Sequence, residues 1–591
     1  MENKPRSTGK VRLAFSYENQ PSQILTLHMN HLSRRSFLTR SGIAAAAVGG
    51  APHLAKSADT LIAQAGQKPK RIIHVVSDGM SVGTLTCADM LSQLTRKKPL
   101  TWTQLFKNPA AKLCFMNTRS LNSPVTDSSA ASSAWGSGSR VVNGAVNVLP
   151  DGKLLTPLYP LFIDAGWKTG LVSTAEITHA TPAGFAVAVK SRGNSDAIAA
   201  QYFERKVDVL LGGGAPFFSP NRRKDKRDLR GDFTKAGYTF VTDKTALAAA
   251  PLDTRLLGVF ADGHLPYTID HRNDAKLRDK VPTLAELVRA ALVRLERSEK
   301  FILQVEGARI DHAAHNSDAP AALHDQIALD EALDVILDFQ KRNPDTLVVI
   351  TTDHANSNLG LNGMGGGYRT SSQRFSSITE TKMSFPEILK LIEKAGTKMK
   401  VPAYPSDAED KLDVPDPMAK IDPTGTSEGD KDADKDEKDP KAAADAEKTK
   451  FTAAVQMSAV SIDPVKLTGI VASATGYKMS ARRAELFAKS VGGNAPQLYD
   501  QMNPVVNQLG QVMGNRYGIG WTGNTHTADY VGVTAIGPGS ELFAGLIENT
   551  DVFRHFIALA GIDFKNPTAA LIAHAGPEAS DVEGSEGYAY V

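Results

Sequence analysis

The chain reads as an α/β protein: a largely parallel central sheet flanked by helices on both faces, interrupted by a long helical and disordered insertion. Three observations predict this. Short apolar, β-branched runs recur with helical segments between them, the signature of strand–helix–strand units that cover both faces of a sheet. Polar residues stand at the ends of several of these runs, the edge at which open α/β sheets collect ligands. One stretch, from about Ser406 to Lys450, loses nearly all its large apolar residues.

Taken in order, residues 1–67 read as an N-terminal extension carrying an export signal. "SRRSFLTRSGIAAAAVGGAPHLA" sets Arg34 and Arg35 before Phe37, Leu38 and a mildly apolar Ala/Gly stretch. That arrangement resembles a twin-arginine signal. Met29 is a candidate start, no cysteine directly follows the apolar stretch to carry a lipid, and the mature chain is expected to begin between about Ser57 and Lys68. The implied destination is periplasmic or extracellular, and export after folding suits a protein that takes up its cofactors first.

Residues 68–359 form the first part of the main domain. "RIIHVVSDGM" is a strand ending at Asp78. "KTGLVST" is another, followed by "AEITHATPAG". "VDVLLGGG" runs into glycines, "KFILQVEG" ends at Glu306, and "TLVVITTDH" ends at Asp353 and His354. Residues 360–515 read as an insertion or cap. It includes the charged segment 406–450, predicted to be disordered because mixed charge without apolar residues cannot build a core, and helical segments such as "SARRAELFAKSV". "DKDADKDEKD" lacks the glycine turn and closing glutamate of a calcium loop. "GLNGMGGGYR" follows no predicted strand and lacks a Lys-Ser/Thr ending, so it reads as a flexible loop, not a phosphate-binding loop. Residues 516–591 close the domain, with "DYVGVTAIG" as a strand after His526. No internal repeat is evident.

Composition narrows the function classes. The chain has 591 residues, 42% hydrophobic and 22% charged, with a formal net charge of +3. That is a globular composition with no pull toward nucleic acid or a charged membrane surface, and no apolar run is long enough to span a bilayer. Two cysteines, Cys87 and Cys114, exclude a cysteine-rich zinc site. They form either one disulfide, if the chain is exported, or two buried thiols.

The candidate chemistry lies at the strand ends. In "SPVTDSSAASSAWGSG" an acid precedes serines and a run of tiny residues. Asp127 or Ser128 can cap an Ala-rich helix, and a hydroxyl there sits where free N–H groups favour an anion. Asp311 and His315, in "VEGARIDHAAH", share one helix face and can form a two-ligand arm for zinc. Asp353 with His354, His526 in "GNTHTADY" and Asp78 in "SDGMS" add further oxygen and imidazole donors of the kind that suit zinc and magnesium.

The order of these motifs resembles the alkaline phosphatase family: "VVSDGMS", "VTDSSAASSAWGSG", "STAEITHATPAG", "VKSR", "LQVEGARIDHAAH", "VITTDHAN", "GNTHT" and "AIGPGSELFAGLIENTDVF". The likeness spans about Lys70 to Pro567, apart from the insertion. It implies hydrolysis of phosphate monoesters through a phosphoserine, with two Zn2+ and one Mg2+ per subunit. Ser128 matches the nucleophile, Arg192 the phosphate clamp and Asp127 the acid that orients it. Asp311, His315 and His526 match one zinc's ligands, and Asp78, Asp353 and His354 the other's. Asp78, Thr181 and Glu306 match the magnesium ligands, with His179 and His312 standing behind them. The substrates implied are small or exposed phosphate monoesters, there is no nucleic-acid-binding module, and the family is often homodimeric.

The roles make chemical sense. A bound cation stabilises a serine alkoxide, two metals can flank an in-line displacement, and a guanidinium fork matches two phosphate oxygens. His179 and His312 depart from a common bacterial pattern, where an acid and a lysine stand. Imidazoles there are expected to weaken a magnesium site and to admit zinc or cobalt, or else simply to hydrogen-bond water or phosphate. A phosphodiesterase of the same superfamily would share the zinc ligands but normally lack the combination of Arg192, Glu306 and Thr181. A sulfatase would carry Cys/Ser-x-Pro-x-Arg at the nucleophile. A non-catalytic binder would have lost a ligand, and none is missing.

Overall fold

In the computed structural model, which describes residues 68–364, 367–399, 457–495 and 497–572, the ten strands of the central sheet are β1 (Arg71–Val76), β2 (Lys112–Asn117), β3 (Lys168–Glu176), β4 (Val209–Gly213), β5 (Tyr238–Val241), β6 (Arg255–Val259), β7 (Phe301–Glu306), β8 (Thr346–Thr351), β9 (Val531–Ile536) and β10 (Gly545–Glu548). Their spatial order is β10-β2-β9-β8-β1-β7-β3-β4-β6-β5. All neighbours run parallel except β9, which is antiparallel to both β2 and β8. The strands legible in the sequence are the central ones, buried on both faces and therefore continuously apolar. Outer strands are less uniform: β2 reads "KLCFMN" with three of its residues exposed, whereas β6, "RLLGV", is apolar and buried at four of five positions.

The helices that matter for the site are α1 (Val82–Arg96), α2 (Ser128–Ser137), α3 (Ala180–Ala186), α4 (Leu284–Leu295), α5 (Arg309–His315), α6 (Ala319–Arg342), α7 (Phe385–Ala395), α8 (Pro464–Thr475), α9 (Ala481–Val491), α10 (Val505–Tyr517) and α11 (Asn549–Ala560). β1 shows how the sheet divides them. Ile73 and Val75 face one core, with α1, α4 and α6. Ile72 and Val76 face the other, where Trp135 of α2, Phe185 of α3 and Phe556 of α11 pack. This two-sided burial is the alternation of side chains along a strand.

Register places the chemistry. Val76 is level with Glu306 of β7 and with Thr351 of β8, and Ser173 of β3 is level with Glu306. The chain therefore leaves β1, β3, β7 and β8 along one edge of the sheet. Because β9 is antiparallel, it begins where β8 ends, so His526, which precedes β9, reaches the same edge.

The described part of the 360–515 segment packs into the main core. Ile388 of α7, Leu467 of α8, Phe487 of α9 and Leu509 of α10 belong to the same apolar core as α1, α4 and α6. The glycine-rich stretch follows a two-residue strand, Gly360–Leu361, paired with Ile519–Gly520, so it does start from a strand. The charged segment 406–450, the twin-arginine motif and its expected cleavage region lie outside the described residues. Cys87 and Cys114 are both buried free thiols, and burial pushes each up to about 12. Among the described residues no helix is long and apolar enough to cross a membrane.

Candidate active site

Asp127 is the N-cap of α2: its Oδ1 accepts from Ala130 N at 2.8 Å, so the helix opens at Ser128 and presents that hydroxyl at its positive end. Asp127 Oδ2 accepts from Ser129 Oγ (2.7 Å), Gly144 N (3.0 Å) and Arg192 Nη1 (3.0 Å). One carboxylate thus caps the helix and fixes the guanidinium beside the serine. Ser128 is buried, and its Oγ lies 3.2 Å from His354 Nε2.

Three groups of donors converge around it. Asp78, Asp353 and His354 form one, Asp311, His315 and His526 a second, and Asp78, His179 and Glu306 a third, with the ligand-type atoms of each group within 4.8 Å of one another. The first two groups adjoin, because the His354 and His526 rings stack at 3.5 Å between centroids. Gly79, at φ +65, lets Asp311 pack against the turn after β1; a Cβ there would sit 2.7 Å from Asp311 Cβ.

The donor chemistry fits cations. His315 Nδ1–H donates to Asn524 O (2.6 Å) and His526 Nδ1–H to Thr126 O (2.8 Å). A carbonyl only accepts, so in the neutral rings it is the Nε2 atoms that carry the lone pairs. Those atoms lie 3.1 Å apart, with Asp311 Oδ2 3.3 Å from His315 Nε2 and Oδ1 3.7 Å from His526 Nε2. Converging lone pairs and a carboxylate are stabilised by an ion between them. Neither oxygen of Asp78 has a hydrogen bond of normal geometry, although the residue is wholly buried beside the Glu306 carboxyl. Burial, then the charges of Asp353, Asp311 and Glu306, hold its carboxyl well above the usual range. Burial likewise pushes Glu306 up to about 7. Thr181 Oγ1 is also buried without a hydrogen bond of normal geometry. Buried polar atoms left in this state are costly unless something else binds them.

Ser128, Arg192 and the metal-type donors quoted from the sequence thus lie together in the structure. It adds partners that the sequence did not reveal. Asn356 Nδ2 donates to Asp311 Oδ1 at 2.6 Å; it lies in the quoted "TTDHAN", where its strand-end position was the available signal. His264 joins His179 and His312, with ring centroids 4.3 Å from His312 and 5.8 Å from His179. Nothing in "ADGHLP" marks it. Burial, then Arg192, takes His179 down to about 3, and burial also holds His264 and His312 well below the usual imidazole range. All three are therefore neutral. Arg192 Nη2 donates to His179 Nε2 (3.1 Å), Arg309 Nη1 to His312 Nδ1 (2.7 Å) and Glu176 N to His264 Nδ1 (3.1 Å). Each ring accepts at one nitrogen and so keeps an N–H at the other. They line a cleft of about 1270 Å³ with Ser128, Arg192 and Arg309, while Lys382, Met383 and Pro386 of the 360–515 segment also line it.

A buried serine at a helix N-terminus, an arginine clamp and clustered metal-type donors define a hydrolase of the phosphoryl-transfer class. Comparison with known proteins makes this specific. The alkaline phosphatase family model matches residues 69–562. The chain is 30% identical over 496 residues to alkaline phosphatase 3 of Bacillus subtilis, covering 82% of this chain and 88% of that protein. The crystal structure of Thermus thermophilus alkaline phosphatase superposes with a TM-score of 0.70 at 30% identity, over 88% of this chain and 98% of that one. A TAB5 alkaline phosphatase variant, solved with magnesium in its M3 site, shares the fold at TM-score 0.52 and 19% identity, over 84% of this chain and 99% of its own. The chain belongs to the alkaline phosphatase family, whose activity is the hydrolysis of phosphate monoesters.

Proposed function

We propose that hydrolysis proceeds through a phosphoserine at Ser128, with two Zn2+ in the first two donor groups and one Mg2+ beside the third. The observation that carries this reading is the contact of Ser128 Oγ with His354 Nε2 at 3.2 Å, because it puts the nucleophile against a metal-type cluster. Asp311, His315 and His526 would hold one zinc and Asp78, Asp353 and His354 the other. Asp78, Thr181 and Glu306 would hold magnesium. His179 accepts from Arg192 at Nε2 and so offers an N–H at Nδ1, which supports a place for it, with His312, outside the coordinated set.

When bound, the ions lower the pKa of the serine hydroxyl and of the attacking water and stabilise the leaving oxygen. The chain supplies the rest. Arg192, held by Asp127, grips two non-bridging oxygens of a phosphate monoester, and the α2 N-terminus adds N–H groups facing the same anion. Ser128 Oγ attacks phosphorus, the alcohol departs with a proton, and water then cleaves the phosphoserine to give inorganic phosphate and free serine. The buried neutral imidazoles restrict water around the anion.

Domain organisation follows the same reading. Residues 68–359 and 516–591 would form the catalytic domain, 360–515 an insertion contributing to its cleft, and 1–67 an extension with a twin-arginine signal to the periplasm or beyond. Small or exposed phosphate monoesters are the proposed substrates, with homodimeric assembly the arrangement to test and no nucleic-acid-binding role.

The deciding assay is hydrolysis of p-nitrophenyl phosphate beside bis-p-nitrophenyl phosphate, with zinc and magnesium, for wild type and Ser128→Ala. Strong monoester turnover, abolished by a chelator and by the substitution, is expected. Preference for the diester, or full activity in Ser128→Ala, would remove the phosphoserine mechanism.

A further inference from the structure

We propose that Asn507 and Gln501, at the end of the 360–515 segment, are positioning residues for the site of Asp311, His315 and His526, so that this segment sets how tightly that site holds its ion. The inference rests on the metal-site reading above.

α5 ends at His315, and the chain turns through Asn316 and Ser317, the latter at φ 50. α10 crosses this turn at close range. A Cβ on Gly510 would lie 2.5 Å from Ser317 Cβ and 2.8 Å from Ser317 O, so only glycine lets the helix in. Nearly one turn earlier stands Asn507, wholly buried. Its Nδ2 donates to His315 O and to Ser317 Oγ, both at 2.8 Å. Its Oδ1 faces Asn524 Nδ2 at 3.4 Å, and Asn524 O is the acceptor that fixes the His315 ring.

Gln501 holds the other arm. Its Oε1 accepts from Asn524 N (3.0 Å) and from Thr525 Oγ1 (3.2 Å), the two residues before His526. Gly523 packs directly on that carboxamide, where any Cβ would collide with Gln501 Oε1. Two glycines thus admit two carboxamides, one behind each imidazole.

The arms need this support. His315 closes a seven-residue helix and His526 opens a two-residue strand, so neither element is rigid by its own hydrogen bonds. Asn524 links them: its carbonyl orients one ring, and its backbone leads through Thr525 to the other. Partners of this kind orient ligands and change metal affinity by about 10–100-fold when removed. The hydrogen bonds to Asp353, by contrast, come from Gly79 N and His354 N, and none described for Asp78, Asp353 or His354 comes from the 360–515 segment.

The experiment uses the full chain, stripped of metal and titrated with zinc against a chromophoric chelator, alongside thermal unfolding of each metal-free form. The variants are Asn507→Ala, Gln501→Leu, Gln501→Glu and His315→Ala. Asn507→Ala and Gln501→Leu are expected to weaken one zinc by about 10–100-fold and leave the other zinc unchanged. Gln501→Glu, which keeps the accepting oxygen, should match wild type, and the metal-free Tm of the Gln501 variants should not move. If Asn507→Ala does not fold, the Gln501 pair decides. Wild-type zinc affinity in Gln501→Leu, or equal loss in Gln501→Leu and Gln501→Glu, overturns the bracing role. If His315→Ala binds zinc as tightly as wild type, the site reading itself is what has failed.

Discussion

The two adjoining donor groups are built on different principles. Asp78, Asp353 and His354 have wholly buried side chains and stand where β1 and β8, neighbours in one parallel sheet, end at the same level. Their spacing comes from the sheet register. Asp311, His315 and His526 have side chains 6%, 8% and 16% exposed, and they come from the short helix after β7 and from the segment before β9, where His526 and Thr527 pair with Asn356 and Ala355. Their spacing depends on that short pairing, on Asn356 beside Asp311, on two carbonyls and on α10. A site cut into a sheet inherits the rigidity of the sheet. A site assembled from a helix end and a loop must be braced from elsewhere, and here the brace is the inserted segment.

The largest effect expected from breaking the comparison is at Asp353. Asp353→Ala removes a donor from the group that touches Ser128, and monoester turnover should fall by at least about a thousandfold. An Asp353→Ala enzyme within tenfold of wild type would show that this group is not central. Arg192→Ala touches neither group. It should leave metal content intact and reduce kcat/KM by about a hundredfold, the size expected for losing charge-assisted hydrogen bonds to phosphate; loss of metal along with activity would contradict the separation drawn here. Chelator release sharpens the contrast. One ion should leave at least about tenfold faster than the other, and His315→Ala should abolish only the fast phase, as followed by time-resolved metal analysis. Gly510→Ala should cost about 1–3 kcal/mol by forcing α10 away from Ser317, measured by denaturant unfolding, and an unchanged midpoint would count against the close approach.

The pH dependence of stability gives a separate test. Burial raises Glu306 from 4.5 to about 7 and Asp318 from 3.8 to about 8. In the metal-free protein these folded-state carboxyls keep protons that the unfolded chain has already released. The folded state therefore binds more protons, and stability falls as pH rises through this window. Tm of the stripped protein should drop between about pH 5 and pH 8. Bound metal, by holding Glu306 deprotonated, should flatten part of that slope, leaving the share due to Asp318, which caps α6 and accepts from Phe385 N of α7. A Tm that rises over the same range would refute the assignment.

The sequence by itself determined the central strands, because strands buried on both faces must be continuously apolar, and it determined the residues at their ends, because a change from apolar to Asp, Glu or His is visible in one dimension. It showed Asp311 and His315 as a pair, since an interval of four is a property of a helix. It also placed Asp127 and Ser128 at a helix start, because capping is local: acid, serine and small residues suffice. Only the tertiary structure decided the rest. β9 is antiparallel, and nothing within "VGVTAI" sets strand direction; yet that direction is why a residue before the strand, His526, meets residues after the others. His264 stands beside His179 and His312 through packing between distant loops. Asn507, Gln501, Gly510 and Gly523 are ordinary helix and loop residues until α10 is laid across the turn after His315. Local sequence encodes conformations set by neighbours along the chain, whereas contacts between segments hundreds of residues apart depend on the whole core having closed.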